Sequence, residues 1–317
     1  MKTAEKILVT GATGLVGAAM VSALVAKGNV VKTYSKHKPN LKNFPENVEV
    51  ILGDILDVSV LNDAMLGVDV VYHCLDFMSF LDSDAEKIFD INVKGTENVV
   101  NAALANEVRK VVYISSTQAF GTHQHKEKIS EKTSWIEHKD NTLYAICKNR
   151  AELEIWRGKE EGLEMLIVNP SIILAPQENK MYNFAQVAMA NYKFYPNGKN
   201  GFIALQDVVK ATIYLNENNV SGERFILNAE NLTYWEVLTA LNPLIKKPLL
   251  GERMNLVKAN IIWQYNRFRN IVFGAKPFLS KEIYTFNAKE FEFSNSKIFD
   301  TIDFKFTPIA EYIAEIK

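Results

Sequence analysis

Cysteine is scarce in this chain of 317 residues: there are two, Cys74 and Cys147, and no C-x-x-C pair. That excludes a disulfide framework and predicts a reducing, cytoplasmic setting. No apolar run approaches the roughly 18 residues a membrane-spanning helix needs, and the opening MKTAEKILVTGATG does not read as a signal peptide. Excess charge is also missing. Lys and Arg number 36 against 37 Asp and Glu, a net charge of −1, which argues against an electrostatic grip on nucleic acid or acidic membrane. The five histidines show no metal-ligand spacing. Even the pair His123 and His125 in GTHQHKEK lacks further ligands, so no metal is expected. There is no internal repeat and no low-complexity segment.

What is present is an ordinary globular mix, 48% hydrophobic and 23% charged. A chain of this size buries about three quarters of its unfolded surface and needs no disulfide or metal to fold. Short apolar runs predict strands over 6–10, 30–34, 48–52, 68–73, 110–115 and 164–168. Between them, helical spacing predicts helices over 15–27, 58–66, 85–106 and 143–162. This alternation implies an α/β fold, a doubly wound parallel sheet with right-handed crossovers. Beyond Pro170 the pattern loosens. Helices are expected over 183–191, 208–216 and 234–241, the last capped by Thr233, with a strand over 224–228. The division expected is a sheet domain over 1–170 and a smaller, mostly helical lobe over 171–317, interleaved with the sheet rather than folding alone.

Gly11-x-x-Gly14-x-x-Gly17 falls between the first strand and the first helix. There Gly11 allows a tight turn, Gly14 lets a pyrophosphate approach the backbone, and Gly17 lets helix and sheet pack closely. The helix N-terminus offers free N–H groups to phosphate. Further motifs follow in order: Gly53-Asp54, Asn92-Val-Lys-Gly95-Thr96, Ser115-Ser116-Thr117 before Phe120-Gly121, and Tyr144-Ala-Ile-Cys-Lys148 before Ala151-Glu152. Together they resemble the extended short-chain dehydrogenase/reductase superfamily over about residues 5 to 240. Its branches include the NAD-dependent epimerases and dehydratases and the dihydroflavonol-reductase-like enzymes.

The resemblance implies a Rossmann fold with a C-terminal substrate lobe and a bound NADP or NAD. The implied cofactor contacts are Thr10, Gly11, Thr13, Gly14, Leu15, Val16, Gly17, Ser35, Lys36, Asp54, Ile55, Cys74, Leu75, Asn92, Tyr144, Lys148, Pro170 and Ser171. At the end of the second strand no acid is present, and Lys36 with Ser35 favours a 2′-phosphate, hence NADP over NAD. Tyr144 and Lys148 share one helix face. The ammonium is expected to lower the phenol's pKa towards neutrality for proton transfer, and to hold the nicotinamide ribose as in the family. Ser116 is the preferred hydroxyl for orienting the substrate oxygen, with Ser115 and Thr117 near-equivalent. Asn92 is expected to fix backbone geometry or a water.

Several positions depart from the pattern. Cys74-Leu75-Asp76 replaces a small-residue pair, so Leu75 narrows the nicotinamide side. Cys147 reads as a buried packing thiol. Asn200 stands where sugar-nucleotide enzymes carry a diphosphate-binding Arg, leaving Arg224, Arg253, Arg267 or Arg269 as substitutes. Residues 256–273 read as a lobe helix rich in aromatics, more a core face than a membrane-surface stripe. The expected partner is a small-molecule substrate, with a homodimer left open. Three readings compete: an NADP-dependent carbonyl reductase, a nucleotide-sugar epimerase or dehydratase with bound NAD, and a non-catalytic NADP-binding regulator.

Overall fold

The computed structural model describes residues 4–38, 48–79, 82–123, 125, 127–175, 194–241, 252–253, 264 and 286–315. The large sheet comprises β1 (Lys6–Thr10), β2 (Val30–Ser35), β3 (Glu49–Leu52), β4 (Val70–His73), β5 (Lys110–Ile114), β6 (Glu164–Pro170) and β10 (Glu223–Leu227). All its pairings are parallel, in the order β10-β6-β5-β4-β1-β2-β3. The order reverses between β1 and β4, and open α/β sheets bind ligands at that switch point. A smaller sheet joins β7 (Ile172–Leu174), β9 (Lys199–Ala204) and β11 (Glu230–Thr233), and β8 (Phe194–Tyr195) pairs with β12 (Glu252–Arg253).

Alternation along each strand builds two cores. Ile7 and Val9 of β1 point to one face, with Val112 and Val168, against α1 (Leu15–Ala26) and α6 (Leu205–Glu217). Leu8 points to the other, with Val71, Val111 and Ile167, against α2 (Val58–Met65), α4 (Gly95–Ala105) and α5 (Leu143–Glu160). Strand and helix ends in the sheet domain fall close to the expected ones. The third lobe helix, α7 (Tyr234–Leu241), is closed by a capping box: Glu236 N–H donates to Thr233 Oγ1 while Thr233 N–H donates to the Glu236 carboxylate.

Three expectations need correction. The helix over 85–106 is interrupted: α3 (Ala85–Phe89) passes into a π turn at Asp90–Lys94 before α4. The wider turn carries Asn92, whose side chain bonds outside the helix, the usual setting of π bulges at functional sites. The helix over 208–216 begins earlier, at Leu205. Strands β7, β9 and β11 were not foreseen, because none alternates apolar and polar residues cleanly. Two short helices end the described chain, α8 (Ser296–Thr301) and α9 (Ile309–Glu315). The expected helices over 183–191 and 256–273, with Arg267 and Arg269, lie outside the described residues, residue 264 excepted. Among the described residues no helix is long and apolar enough to cross a membrane.

Gly158 tests the packing of α5 on α4. Ala normally stabilises a helix over Gly by about 0.5–1 kcal/mol. Here a Cβ would lie 2.8 Å from Val100 Cγ1 and 3.2 Å from Leu163 Cδ2. Gly158→Ala is therefore expected to lower stability by about 1 kcal/mol or more, read as a fall in the urea midpoint, with recovery in Gly158→Ala/Val100→Ala.

Candidate active site

The C-terminal ends of β1, β4 and β5 come together with the start of α5. At β1, Gly11 has φ +67°, and its N–H donates to Tyr34 O at 3.1 Å. A Cβ on Gly11 would lie 2.5 Å from Leu75 Cα, and one on Gly17 would lie 2.2 Å from Gly11 O. Turn, helix and the segment after β4 thus meet backbone to backbone. Leu75 meets this turn with its main chain, as any residue there would, while its side chain joins the α2/α4 core. Gly14 is the N-cap of α1 and offers no side-chain cap, so first-turn N–H groups remain for a phosphate. Thr13 is exposed, Gly14 and Val16 are half-buried, and Leu15 and Gly17 are buried. This cradle fits the pyrophosphate of a dinucleotide.

At the ends of β2 and β3, Lys36 Nζ pairs with Asp54 Oδ2 at 2.6 Å, and that hydrogen bond lowers the Asp54 pKa. The pair is largely solvent-facing, with side-chain exposures of 67% and 37%, so its partner can be exchanged at little cost. Ser35 is buried and donates its hydroxyl hydrogen to His37 O at 2.8 Å. Ile55 is buried against Gly95, where a Cβ would lie 2.9 Å from Ile55 Cγ2. Pro170 ends β6, and Ser171 bonds Leu227 O through both N–H and hydroxyl.

Tyr144 and Lys148 stand one turn apart on α5, whose N-terminus is capped by Thr142 Oγ1 accepting from Ala145 N–H. The Tyr144 hydroxyl donates to Asp76 Oδ2 at 2.8 Å, and the Ser116 side chain lies near enough to act on it weakly in the opposite sense, lowering its pKa. Lys148 Nζ donates to Ile114 O at 3.2 Å, lies 3.5 Å from Asp76 Oδ1 and sits 4.6 Å from the Tyr113 ring centroid. Ser115 and Ser116 now separate. Ser115 is buried and donates to Glu152 Oε1 at 2.5 Å, whereas half-buried Ser116 is on Tyr144. Thr117 is buried, with no contact to Tyr144 among those described. Glu152 also takes Asn169 Nδ2 at 2.5 Å and Arg224 at 3.4 Å, and Asn169 donates to Ser116 O, so a buried network steadies the Ser116 backbone.

One expectation fails here. Lys148 does not draw the Tyr144 pKa down. Burial raises it well above the ordinary phenol value, and the Asp76 carboxylate adds to the rise by charge and by hydrogen bond. Burial opposes the Lys148 charge, yet Asp76, Tyr113 and Glu152 together lift its pKa above the ordinary lysine range. Asp76 was visible in the sequence only as a departure beside Leu75. Asn92 fixes backbone geometry, as expected: its amide accepts from Phe77 N–H at 2.8 Å and donates to Phe77 O at 2.9 Å. Both cysteines are buried, which pushes Cys74 to about 12 and Cys147 to about 11, and Cys147 packs with Ile88 and Val93.

In the sequence His73 is marked only as the end of a strand. It is buried and links three elements, with Nδ1 2.7 Å from Thr10 Oγ1 and Nε2 3.0 Å from Thr96 Oγ1. Thr96 donates its own hydrogen to Asn92 O, so it accepts from His73 Nε2–H, and Nδ1 accepts from Thr10. Asn200 is buried in the lobe, donating to Tyr234 and accepting from Gly201 N–H. Arg224 donates to Glu131 O and Thr133 O and lies over the Phe120 ring, so its guanidinium is committed within the fold.

The sequence pattern described as the NAD dependent epimerase/dehydratase family matches residues 7–228. The chain belongs to that family. It is 31% identical over 249 residues to sterol demethylase protein B of Methylococcus capsulatus, covering 76% of this chain and 75% of the relative. It is 24% identical over 332 residues to cinnamoyl-CoA reductase 1 of Petunia hybrida, covering 98% and 90%. The crystal structure of gox2253 superposes with a TM-score of 0.79 at 26% identity, covering 98% of this chain and 96% of that one. As a member of the epimerase/dehydratase family, the chain is an NAD(P)-dependent enzyme of the extended short-chain dehydrogenase/reductase type.

Burial of His73 lowers its pKa to about 3, with the Lys148 charge adding to the effect. A pKa depressed on folding gives stability that is complete above the unfolded value and is lost as pH falls towards the folded one. Between pH 7 and pH 5 this histidine should remove about 2 kcal/mol of stability, from an unfolded pKa near 6.5. Urea unfolding at both pH values checks this. His73→Asn should show a pH dependence smaller by about that amount.

Proposed function

We propose that this enzyme is an NADP(H)-dependent oxidoreductase that reduces a small, largely uncharged carbonyl compound or oxidises the matching alcohol. The observation that carries the reading is the convergence of the Tyr144 hydroxyl and Lys148 Nζ on one carboxylate, that of Asp76, with Ser116 beside them, at the sheet edge that holds the glycine turn. Bound nicotinamide supplies or accepts the hydride. Lys148, already buried and charged, holds the nicotinamide ribose. Ser116 donates to the substrate oxygen and sets its distance to Tyr144. Tyr144 then transfers its proton to that oxygen as negative charge develops there. Lys36 exchanges Asp54 for a 2′-phosphate.

Support for an uncharged substrate comes from the cations. Asn200 offers no charge and is buried away, and Arg224 is engaged by backbone carbonyls and Glu152. A sugar-nucleotide diphosphate would meet no bidentate guanidinium from either position. The reductase name of the Petunia hybrida relative agrees with hydride transfer to a carbonyl carbon. A screen with NADPH present tests the reading, using thermal shift and turnover. One arm holds aliphatic and aromatic carbonyls, the other UDP-, GDP- and dTDP-sugars. Turnover of a carbonyl is expected, whereas saturable turnover of a sugar nucleotide alone would establish the epimerase/dehydratase reading instead.

Two variant series follow. Tyr144→Phe should keep cofactor affinity and lose on the order of a hundredfold or more in turnover, and Lys148→Ala should lose both. An active Tyr144→Phe enzyme contradicts the assignment. In calorimetric titration NADP(H) should bind more tightly than NAD(H), and Lys36→Asp should reverse the order. Tighter NAD(H) binding by the unaltered chain would overturn the cofactor preference.

A further inference from the structure

Asp76 has no part in the steps above, yet both its carboxylate oxygens lie on the groups that perform them: Oδ2 holds the Tyr144 hydroxyl hydrogen at 2.8 Å, and Oδ1 is 3.5 Å from Lys148 Nζ. Its place in the chain is fixed on both sides. Leu75 before it abuts Gly11, and Phe77 after it is clamped through N–H and C=O by the buried Asn92 side chain. The side chain of Asp76 is 35% exposed and that of Lys148 1%, so the carboxylate is the outward member of the three.

Building on the reduction proposed above, we propose that Asp76 is a positioning residue of the proton-transfer site. Its carboxylate keeps the Tyr144 hydroxyl in place as a donor, neutralises Lys148 until ligands arrive, and selects against carbonyl substrates with an anionic group beside the reacting carbon. A substrate oxygen can take the Tyr144 proton only by occupying the acceptor place that Oδ2 holds. The displaced carboxylate stays beside the substrate. A hydroxyl or ammonium next to the carbonyl offers it a hydrogen, whereas the carboxylate of a 2-oxo acid is repelled in a site partly removed from water. Asp76 itself exchanges no proton. The Tyr144 O–H bond breaks, its electron pair stays on the phenolate oxygen, and the proton goes to the substrate.

The charged and titratable groups around Tyr144 come from each neighbouring element. Asp76 lies beyond β4, Tyr113 is in β5, and Lys148 is on the same helix, while the Ser116 hydroxyl supplies a neutral hydrogen bond. Lys148 in turn faces Glu152, His73 and Cys74. Asp76 is the carboxylate in contact with the phenol, and it acts in the same direction as burial, holding the proton on. Without that charge and its hydrogen bond, less holds the proton on Tyr144 and the phenolate forms at lower pH.

The test uses the full chain with tyrosine labelled with 13C at Cζ, the Tyr144 resonance being assigned by its loss in Tyr144→Phe. Melting curves confirm that each variant is folded. In Asp76→Asn the Tyr144 phenolate should appear at a pH lower by about one unit or more, and Asp76→Glu, which restores a carboxylate, should titrate close to the unaltered chain. Coincident titrations of Asp76→Asn and the unaltered chain overturn the proposal. In a kinetic arm, kcat/KM for a 2-oxo acid relative to its methyl ester should rise about tenfold or more in Asp76→Asn, through KM, and fall back in Asp76→Glu. An unchanged ratio overturns the selection. Failure of all three proteins to reduce any carbonyl sinks the reductase reading instead, while the resonance titration, which needs no substrate, still decides for or against the carboxylate.

Discussion

The close approach of three stretches of backbone governs this molecule. Gly11 and Gly17 bring the β1 turn against the first turn of α1 and against Leu75, at distances that no side chain could share. The parallel sheet places β1 next to β4, and the crossover order opens a crevice there. Glycine at two positions turns that crevice into a phosphate cradle, because a bare backbone is the only surface that brings N–H groups this near a ligand. The same contact fixes where the chain leaves β4, and therefore where Asp76 stands relative to α5.

Beneath the cradle runs a buried polar chain. Thr10, His73, Thr96 and Asn92 pass hydrogen bonds from β1 through β4 to the π turn, and Asn92 hands the constraint on to Phe77. A second network, Ser115, Glu152, Asn169 and Arg224, holds the start of the segment that carries Ser116. Each member bonds another, which lets such groups persist in a core that is otherwise apolar, although Asn169 Oδ1 finds no hydrogen-bond partner among the described residues. Cofactor cradle, hydroxyl pair and ammonium are thus placed by rigid elements on three sides.

Much of this was legible in the residues. The alternation of short apolar runs with helical spacing carried the doubly wound sheet, since strands buried on both faces leave a simple signature. The glycine turn and the Tyr144/Lys148 spacing pointed to strand ends that the fold brings to one edge of the sheet. What was not legible arose from tertiary contact. Nothing in 85–106 marks a π turn, because the extra residue is stabilised by the Asn92 bonds to Phe77, distant in sequence. The choice of Ser116 over Ser115 depends on Glu152 reaching one and not the other. The role of Asp76 depends on a loop folding back onto α5, and spacing alone made Lys148 look like the dominant influence on Tyr144. The small sheet was missed because β11 is partly exposed along its length and shows no alternation.

Transfer of hydrogen from the cofactor to a carbonyl tests the account most directly. The protein would be incubated with NADPH deuterated at nicotinamide C4, in both stereochemical forms, and a pooled set of aliphatic and aromatic aldehydes and ketones. The alcohols would then be analysed by mass spectrometry. The account predicts at least one alcohol carrying deuterium at the former carbonyl carbon, from one stereochemical form of the cofactor and not the other. No deuterated alcohol from any carbonyl, with a nucleotide sugar epimerised or dehydrated by the same preparation, would contradict it.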